Sequence, residues 1–398
     1  MIHRTLTEVL HSRASQYPVV TLTGPRQSGK TTLVRTAFPE HAYASLEDPE
    51  LRSYATTDAR GFLRQFTGPV ILDEAQRVPD LFSYIQVFVD EEDQPGRFIL
   101  SGSQNFLLLR SISQSLAGRT AVLHLLPFSL SELRGRPPFP LDKLGRELPE
   151  PGRTAGEGLL ETLIRGFYPR IHDRGLEPGV WLADYVRTYV ERDVREIINV
   201  VDLETFDRFL RLCAARNGQL LNLTSLSTDC GITHTTARRW LSILEASFLV
   251  ALLRPHHRNF GKRLIKTPKL YFLDQGLLCY LLRIRSPEEL RFHASRGAIF
   301  ESFVVAELTK AALNLGREPD LYFWRDATGH EVDILIDQGA TLVPVEVKSG
   351  ETVTGDFFTG LTFFRDLAGA QSTPAALVYA GDRTFEQRGV KVYSWQVL

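Results

Sequence analysis

Sulfur is scarce in this chain: Met1 is its single methionine, and Cys213, Cys230 and Cys279 are its only cysteines. Three thiols so far apart fit neither a disulfide framework nor a zinc site, so they are expected as reduced core residues. Long apolar runs are missing too. No segment reaches the ~20 residues that span a bilayer, and no charged-then-apolar leader precedes the first helix, which leads us to expect a cytoplasmic protein with no membrane partner. Neither sign of charge is in excess. Lys and Arg number 46 against 47 Asp and Glu, a net charge of −1 that excludes a uniformly basic nucleic-acid binder but leaves local patches open. Internal repeats and low-complexity tracts are also absent. What remains is a 398-residue chain with 43% hydrophobic residues, enough for two or three folded domains.

The strongest local pattern is the octet from Gly24 to Thr31, GPRQSGKT, directly after the apolar run Pro18 to Thr23. It fits G-x-x-x-x-G-K-[ST] in the context that pattern requires, a strand before and a helix after. Gly24 and Gly29 let the backbone turn so that the N–H groups of Pro25-Arg26-Gln27-Ser28-Gly29 and its neighbours can cradle phosphates, proline lacking one. Lys30 reaches the β and γ oxygens, the Thr31 hydroxyl binds Mg²⁺, and Thr32 continues the helix whose positive end faces the same anion. ATP and Mg²⁺ are the expected cofactors.

A second run, Gly68-Pro-Val-Ile-Leu-Asp73-Glu74, is too apolar for a half-exposed strand and predicts a buried parallel strand ending in two carboxylates. Asp73 is expected in the Mg²⁺ shell and Glu74 as the group that polarises the attacking water. A third buried strand, Arg97 to Ser101, delivers Ser103 and Asn105 to the same sheet edge, where one of them would sense the γ-phosphate; Ser103 is carried forward as the candidate.

The alternation of helix and strand over residues 1–133 predicts a doubly wound ATPase domain with a parallel central sheet. Residues 134–158 are dense in Pro and Gly and read as a linker or long loop. A helical, winged-helix-like region is expected over 159–285, with helices at Leu159–Arg165 and Val180–Ile198, and an α/β domain over 286–398. Within the middle region, Leu223 to Leu253 has the rhythm of a winged helix, with Gly231 turning the chain, Thr233 capping a second helix, and strands Phe248–Leu253 and Lys269–Phe272 as the wing. Between His234 and Lys269 stand Arg238, Arg239, Arg254, Arg258, Lys262, Arg263, Lys266 and Lys269 against Glu245 alone. Such a concentration is the footprint of a phosphate backbone, and Arg238, Arg239, Arg258, Lys262, Arg263 and Lys266 are the expected DNA contacts.

The third candidate site lies in Glu331-Val-Asp333-Ile-Leu-Ile, a turn at Gln338-Gly-Ala340, and Val343-Pro-Val-Glu346-Val-Lys348. Two strands joined by a tight turn bring Asp333 near Glu346 and Lys348, which share one face. Asp333 and Glu346 can then share a hard divalent cation, Mg²⁺ or Mn²⁺, and Lys348 can steady charge on a phosphate. Glu301, on the upstream helix GAIFESFVVAELTK, is the expected further ligand.

Together these segments resemble the bacterial and archaeal AAA-type P-loop ATPases that carry a C-terminal domain, formerly of unknown function, with a PD-(D/E)xK nuclease-like core. The matching segments are GPRQSGKT, ILDEAQ, LSGSQ, SLAGR ending at Arg119, PFSLSEL, YVERDV from Tyr189 and KLYFLDQGL from Lys269, so the resemblance covers nearly the whole chain. It implies an arginine that completes a neighbour's ATP site, and Arg119 and Arg192 both match. One departure is that Val332, not proline, precedes Asp333. The function implied is an ATP-driven DNA-processing motor with metal-dependent endonuclease activity, four-way junctions being one candidate substrate. Its partners would be duplex or branched DNA and further copies of the chain in a ring, a hexamer being one candidate size. The alternative is a nucleotide-controlled switch whose nuclease-like domain only binds DNA or a protein.

Overall fold

A computed structural model describes residues 2–92, 94–103, 115–149, 157–190, 203–256, 266–369 and 374–398. The chain divides into two compact units. The first comprises Met1–Phe128 with the short stretches Ala246–Phe248 and Leu313–Arg317, and the second comprises the remainder.

In the first unit, β1 (Val19–Thr23), β2 (Ala42–Ser45), β3 (Val70–Asp73), β4 (Phe98–Gly102) and β5 (Thr120–His124) form one sheet in the order β2-β3-β4-β1-β5. Every pairing is parallel. The expected parallel sheet is therefore present. β1, β3 and β4 are buried along their whole length because helices cover both faces, which is why VVTLT, VILD and FILSG carry no alternation. One face packs Val20, Leu22, Ile71 and Ile99 against Leu6, Leu10, Leu33 and Val34. The other packs Val70, Leu72, Phe98 and Leu100 against Phe62, Leu81, Phe82 and Ile85. Register sets the site: Thr23 pairs with Gly102 and Asp73 with Ser101, so the phosphate loop, the acidic pair and Ser103 leave the sheet at one edge, the carboxyl ends of the strands.

The second unit contains both the helical middle region and the C-terminal α/β region. Its strands are β6 (Val250–Pro255), β7 (Lys269–Phe272), β8 (Leu321–Arg325), β9 (Glu331–Asp337), β10 (Leu342–Lys348), β11 (Ala376–Tyr379), β12 (Phe385–Gln387) and β13 (Val390–Ser394). They form an eight-stranded mixed sheet, β12-β13-β11-β10-β9-β8-β6-β7. The expected β9–β10 hairpin is antiparallel, with Val343 opposite Ile336, and Gly339 takes a left-handed φ of 78° in its turn. The two winged-helix helices form at Leu223–Cys230 and His234–Ala246. Between them Gly231 is left-handed and the Thr233 hydroxyl accepts from the Thr236 N–H at 3.1 Å. The strands read as a wing do pair antiparallel, but β6 also pairs with β8, so they extend the C-terminal sheet rather than stand apart. One hydrophobic cluster accordingly joins Phe206, Trp240 and Leu244 of the middle region with Phe303, Val345 and Trp395.

Two local features add to the sequence reading. Over the described part of the helix expected at Val180–Ile198, the chain is α-helical over Pro178–Tyr185 and continues as a π-helical turn over Val186–Val190; the rest lies outside the described residues. Periodicity alone does not separate i+4 from i+5 hydrogen bonding. The segment read as a linker or long loop is, over its described part, a loop packed onto the C-terminal region. Phe139 and Leu144 are buried in the common core, the Tyr393 hydroxyl accepts from the Gly145 N–H at 2.8 Å, and Arg134 donates to the Gln396 carbonyl at 3.0 Å. Isolated apolar residues between prolines can still anchor a loop, and no periodicity announces them.

Candidate functional site

Gly24 has a φ of 152°, and a β-carbon there would lie 2.1 Å from the Leu125 carbonyl oxygen, so only glycine lets the loop pass β5's end this closely. Gly29, left-handed at φ 92°, precedes the helix Lys30–Ala37. Between them run Pro25, Arg26, Gln27 and Ser28, and Thr31 and Thr32 follow Lys30 in the helix's first turn. The Lys30 ammonium is buried and donates to the carbonyls of Gly24 at 3.0 Å and Pro25 at 2.8 Å. Ser28 is fully buried, and its hydroxyl has no hydrogen-bond partner. A buried donor without an acceptor is costly, and a phosphate oxygen in the loop is the partner its position suits. The loop is also tied from outside, since Arg4 donates to the Ser28 carbonyl at 2.8 Å and the Leu126 carbonyl at 2.7 Å.

Asp73 is the hub of the acidic pair. Its Oδ2 accepts from the Thr31 hydroxyl at 2.8 Å and the Tyr43 hydroxyl at 2.9 Å, and its Oδ1 from the Ser101 hydroxyl at 2.5 Å and the Glu74 N–H at 3.2 Å. The direct bond between Thr31 and Asp73 puts the two expected metal ligands side by side. Glu74 adopts a left-handed φ of 53°, unusual for a non-glycine residue and a mark of strain held by its surroundings. Its Oε2 accepts from Gln76 at 2.5 Å and from the Ser103 hydroxyl at 3.3 Å. Ser103 thus meets the acidic pair, while Asn105 lies outside the described residues.

Tyr43 and Gln76 were not found by sequence reasoning. Tyr43 sits on β2, is 38% exposed and carries the Arg35 guanidinium 4.7 Å above its ring. Burial and the neighbouring Asp73 charge push its phenol up to about 12, so it stays a donor.

Arg119 stands at the opposite edge. It precedes β5, its carbonyl accepts from Val19 at the start of β1, and its guanidinium grips Asp90 at 2.5 and 2.9 Å. Arg192, Arg258, Lys262 and Arg263 lie outside the described residues. Arg238, Arg239 and Lys266 are exposed, as a phosphate contact requires. Lys269, counted in the basic patch, is corrected: it is 4% exposed and turned into an acidic cluster, so it is no surface contact.

That cluster contains the third candidate site. Lys348 lies 2.5 Å from Glu346 Oε1 and 3.9 Å from Asp333 Oδ2, so the three predicted residues meet. Asp333 Oδ2 also accepts from the Val347 N–H at 2.9 Å, which fixes it across the hairpin. Glu346 is 7% exposed and its Oε2 has no hydrogen-bond partner. Burial, reinforced by the Asp333 charge, pushes its carboxyl up to about 8. A β-carbon at Gly360 would meet that Oε2 at 3.1 Å and the Glu331 carbonyl oxygen at 2.6 Å, so glycine is what admits the neighbouring helix here.

Glu301, the further ligand expected from sequence, lies against Lys269 and Tyr271. Its Oε1 accepts from Lys269 at 3.0 Å and from the Tyr271 hydroxyl, and Lys269 also pairs with Glu331. Burial and the Asp333 charge push Glu301 up to about 7. Among the described residues, no three His, Cys, Asp or Glu side chains stand together as a metal-holding group. Asp333 and Glu346 remain as a pair of hard oxygen donors, the number with which Mg²⁺ is commonly held when water and substrate phosphate supply the rest.

This geometry defines an AAA-type P-loop ATPase domain joined to a helical region and a C-terminal α/β domain. The profile of an AAA domain matches residues 16–134, and two domains of unknown function, DUF8612 and DUF4143, match residues 156–288 and 296–398. The chain belongs to the family of the uncharacterized protein Rv2008c of Mycobacterium tuberculosis, to which it is 32% identical over 372 residues, 92% of this chain and 78% of the relative. The uncharacterized protein Mb2031c of Mycobacterium bovis matches equally. MJ1544 of Methanocaldococcus jannaschii, also uncharacterized, is 23% identical over 83% of this chain and 74% of the relative. Among solved structures, the Walker-type ATPase PABY2304 of Pyrococcus abyssi aligns over 71% of this chain and 96% of its own with 16% identity and a TM-score of 0.44. The RuvB Holliday junction branch migration motor of Thermotoga maritima covers 62% and 86% with 19% identity and a TM-score of 0.28. Among the described residues no helix is long and apolar enough to cross a membrane.

Proposed function

We propose that this protein is an ATP-hydrolysing DNA-processing motor whose C-terminal domain is a Mg²⁺- or Mn²⁺-dependent endonuclease. At the first site, the loop N–H groups, Ser28 and Lys30 bind the phosphates of ATP. Thr31 and Asp73 would hold Mg²⁺, which would neutralise phosphate charge when bound. Glu74 orients the attacking water, and Ser103, in contact with Glu74, reports whether the γ-phosphate is there. Tyr43 keeps the Asp73 carboxylate pointed at Thr31. Tyr43→Phe is therefore expected to reduce the Mg²⁺-dependent gain in nucleotide affinity about tenfold, one hydrogen bond to a charged group being lost, while affinity in EDTA is unchanged. Titration of a fluorescent ADP with and without Mg²⁺ reads this, and equal gains in wild type and variant would remove Tyr43 from the site.

Arg119 lies at the far end of the sheet from its own phosphate loop, which favours service in a neighbour's site within a homo-oligomeric ring, a hexamer being one size to test; Arg192 is the other candidate for that role. Mixing Arg119→Ala with Glu74→Gln subunits is expected to restore part of the hydrolysis that neither variant has alone, because some mixed interfaces hold one intact site. Full activity of Arg119→Ala by itself would end this assignment.

The convergence of Asp333, Glu346 and Lys348, with one buried carboxylate oxygen unpartnered, is the observation that carries the nuclease reading. Asp333 and Glu346 would hold the cation, which polarises a phosphate oxygen when bound, and Lys348 stabilises charge on the scissile phosphate. Exposed Arg238, Arg239 and Lys266, together with Arg258, Lys262 and Arg263, are proposed to bind the DNA backbone. A second reading, a nucleotide-controlled switch whose C-terminal domain only binds DNA or a protein, is favoured by the Lys269–Glu301 pair, in which an ammonium of the chain already occupies one oxygen of that carboxylate. Labelled linear, forked and four-way DNAs, incubated with and without ATP and with Mg²⁺, Mn²⁺ or chelator, decide between them. Metal-dependent scission supports the first, and binding without scission supports the second.

A further inference from the structure

Lys269 is a buried charge that neither candidate mechanism uses. It sits on β7, the sheet's edge strand contributed by the middle region, yet its ammonium reaches Glu301, 3.0 Å away on the helix Arg296–Asn314, and Glu331 at the start of β9. Tyr271, two residues along the same face of β7, donates to the same Glu301 oxygen. Burial works against the charge on Lys269, but Glu301, Asp333 and Glu331 outweigh it and hold it protonated. Arg325 closes the outer side with a 3.0 Å contact to Glu331. Four carboxylates, Glu301, Glu331, Asp333 and Glu346, are thus met by three fixed cations, Lys269, Lys348 and Arg325. They are not shared evenly: Glu301 and Glu331 have strong partners, whereas Glu346 keeps one buried oxygen with none.

We propose that Lys269 is the resident cation of this cluster, a positioning residue that neutralises Glu301 and Glu331 and thereby confines an exogenous divalent cation to Asp333 and Glu346. The proposal rests on reading the cluster as a divalent-cation site. An ammonium and a metal ion compete for the same carboxylate field, so a fixed ammonium beside Glu301 both withholds that ligand and repels a second ion. The site then takes one divalent cation, with Glu301 outside its shell.

The test is Mn²⁺ binding to the nucleotide-free full chain, followed by electron paramagnetic resonance, with Asp333→Asn as the blank. Lys269→Gln is expected to bind Mn²⁺ about tenfold more tightly, or to bind a second ion, because one positive charge leaves the cluster. Lys269→Arg, which keeps the charge, is expected to stay within about threefold of wild type, and Glu301→Gln, which removes one negative charge but no ligand, to weaken binding by no more than about tenfold. Removing both partners in K269Q/E301Q avoids a stranded buried carboxylate and is expected to return affinity to near the wild-type value, which keeps the test available if Lys269→Gln folds poorly. Unchanged or weaker binding in a folded Lys269→Gln overturns the proposal. So does loss of binding in Glu301→Gln, or failure of both wild type and Lys269→Gln to bind. A protein that shows the expected Mn²⁺ pattern but cuts no DNA defeats the nuclease reading and leaves the assignment of Lys269 intact.

Discussion

Glu74→Gln is expected to bind ATP with nearly wild-type affinity and to lose turnover by about 10²–10⁴-fold, the range general-base catalysis contributes. The substitution keeps the hydrogen-bonding shape that Gln76 and Ser103 meet but removes the charge proposed to polarise water. It leaves untouched the phosphate contacts, which belong to the loop and Lys30. Lys30→Ala should behave oppositely in binding. Its ammonium lies buried against the loop carbonyls, ready to turn toward a phosphate, so its loss weakens nucleotide binding and turnover together. Steady-state hydrolysis measured beside nucleotide titration separates the two. Wild-type turnover by Glu74→Gln would withdraw the role given to that carboxylate.

The residues that sequence made visible are those whose partners lie close along the chain or follow a fixed strand order. GPRQSGKT specifies its own geometry, because glycine conformations, a lysine and a helix start all fall within eight residues. Asp73 and Glu74 were legible because a fully buried strand must end somewhere, and carboxylates at that end face the loop of a parallel neighbour. The β9–β10 hairpin was legible from alternation and its glycine turn, and with it the meeting of Asp333, Glu346 and Lys348. Tyr43 was not, since β2 is short and half-exposed and the Asp73 it serves is 30 residues away in sequence. Lys269 was misread for a related reason. In a run of basic residues it looks like surface charge, and only the pairing of β6 with both β7 and β8 carries β7 into the C-terminal sheet and its ammonium toward Glu301. Charge counted along a sequence does not say which side chains face water.

Asp333→Ala is expected to abolish DNA scission, and Lys348→Ala to slow it by about 10²–10³-fold, while ATP hydrolysis survives in both. Asp333 is a proposed ligand whose other role, accepting from the Val347 N–H, is lost with it; Asp333→Asn retains that acceptor and should still fail to cut, which separates metal loss from hairpin disorder. In the proposed mechanism Lys348 supplies charge without ligation, so its loss should leave the cation bound and the reaction slow. The pH dependence follows from Glu346. Burial and Asp333 push its carboxyl up to about 8, so near neutrality without a cation the proton competes for the oxygen that would bind metal. A divalent cation held by Asp333 and Glu346 would have to displace that proton, and cation affinity should therefore rise with pH until the carboxyl is ionised, then level off above about 8. The high carboxyl pKa belongs to the metal-free protein, so saturating Mn²⁺ should move the rise in cutting to lower pH. Cutting measured against pH at limiting and saturating Mn²⁺, with ATPase assayed in parallel, checks both points. Normal cutting by Asp333→Asn, or no cutting of any DNA form under any metal condition, would make the nucleotide-controlled switch the better account of this protein.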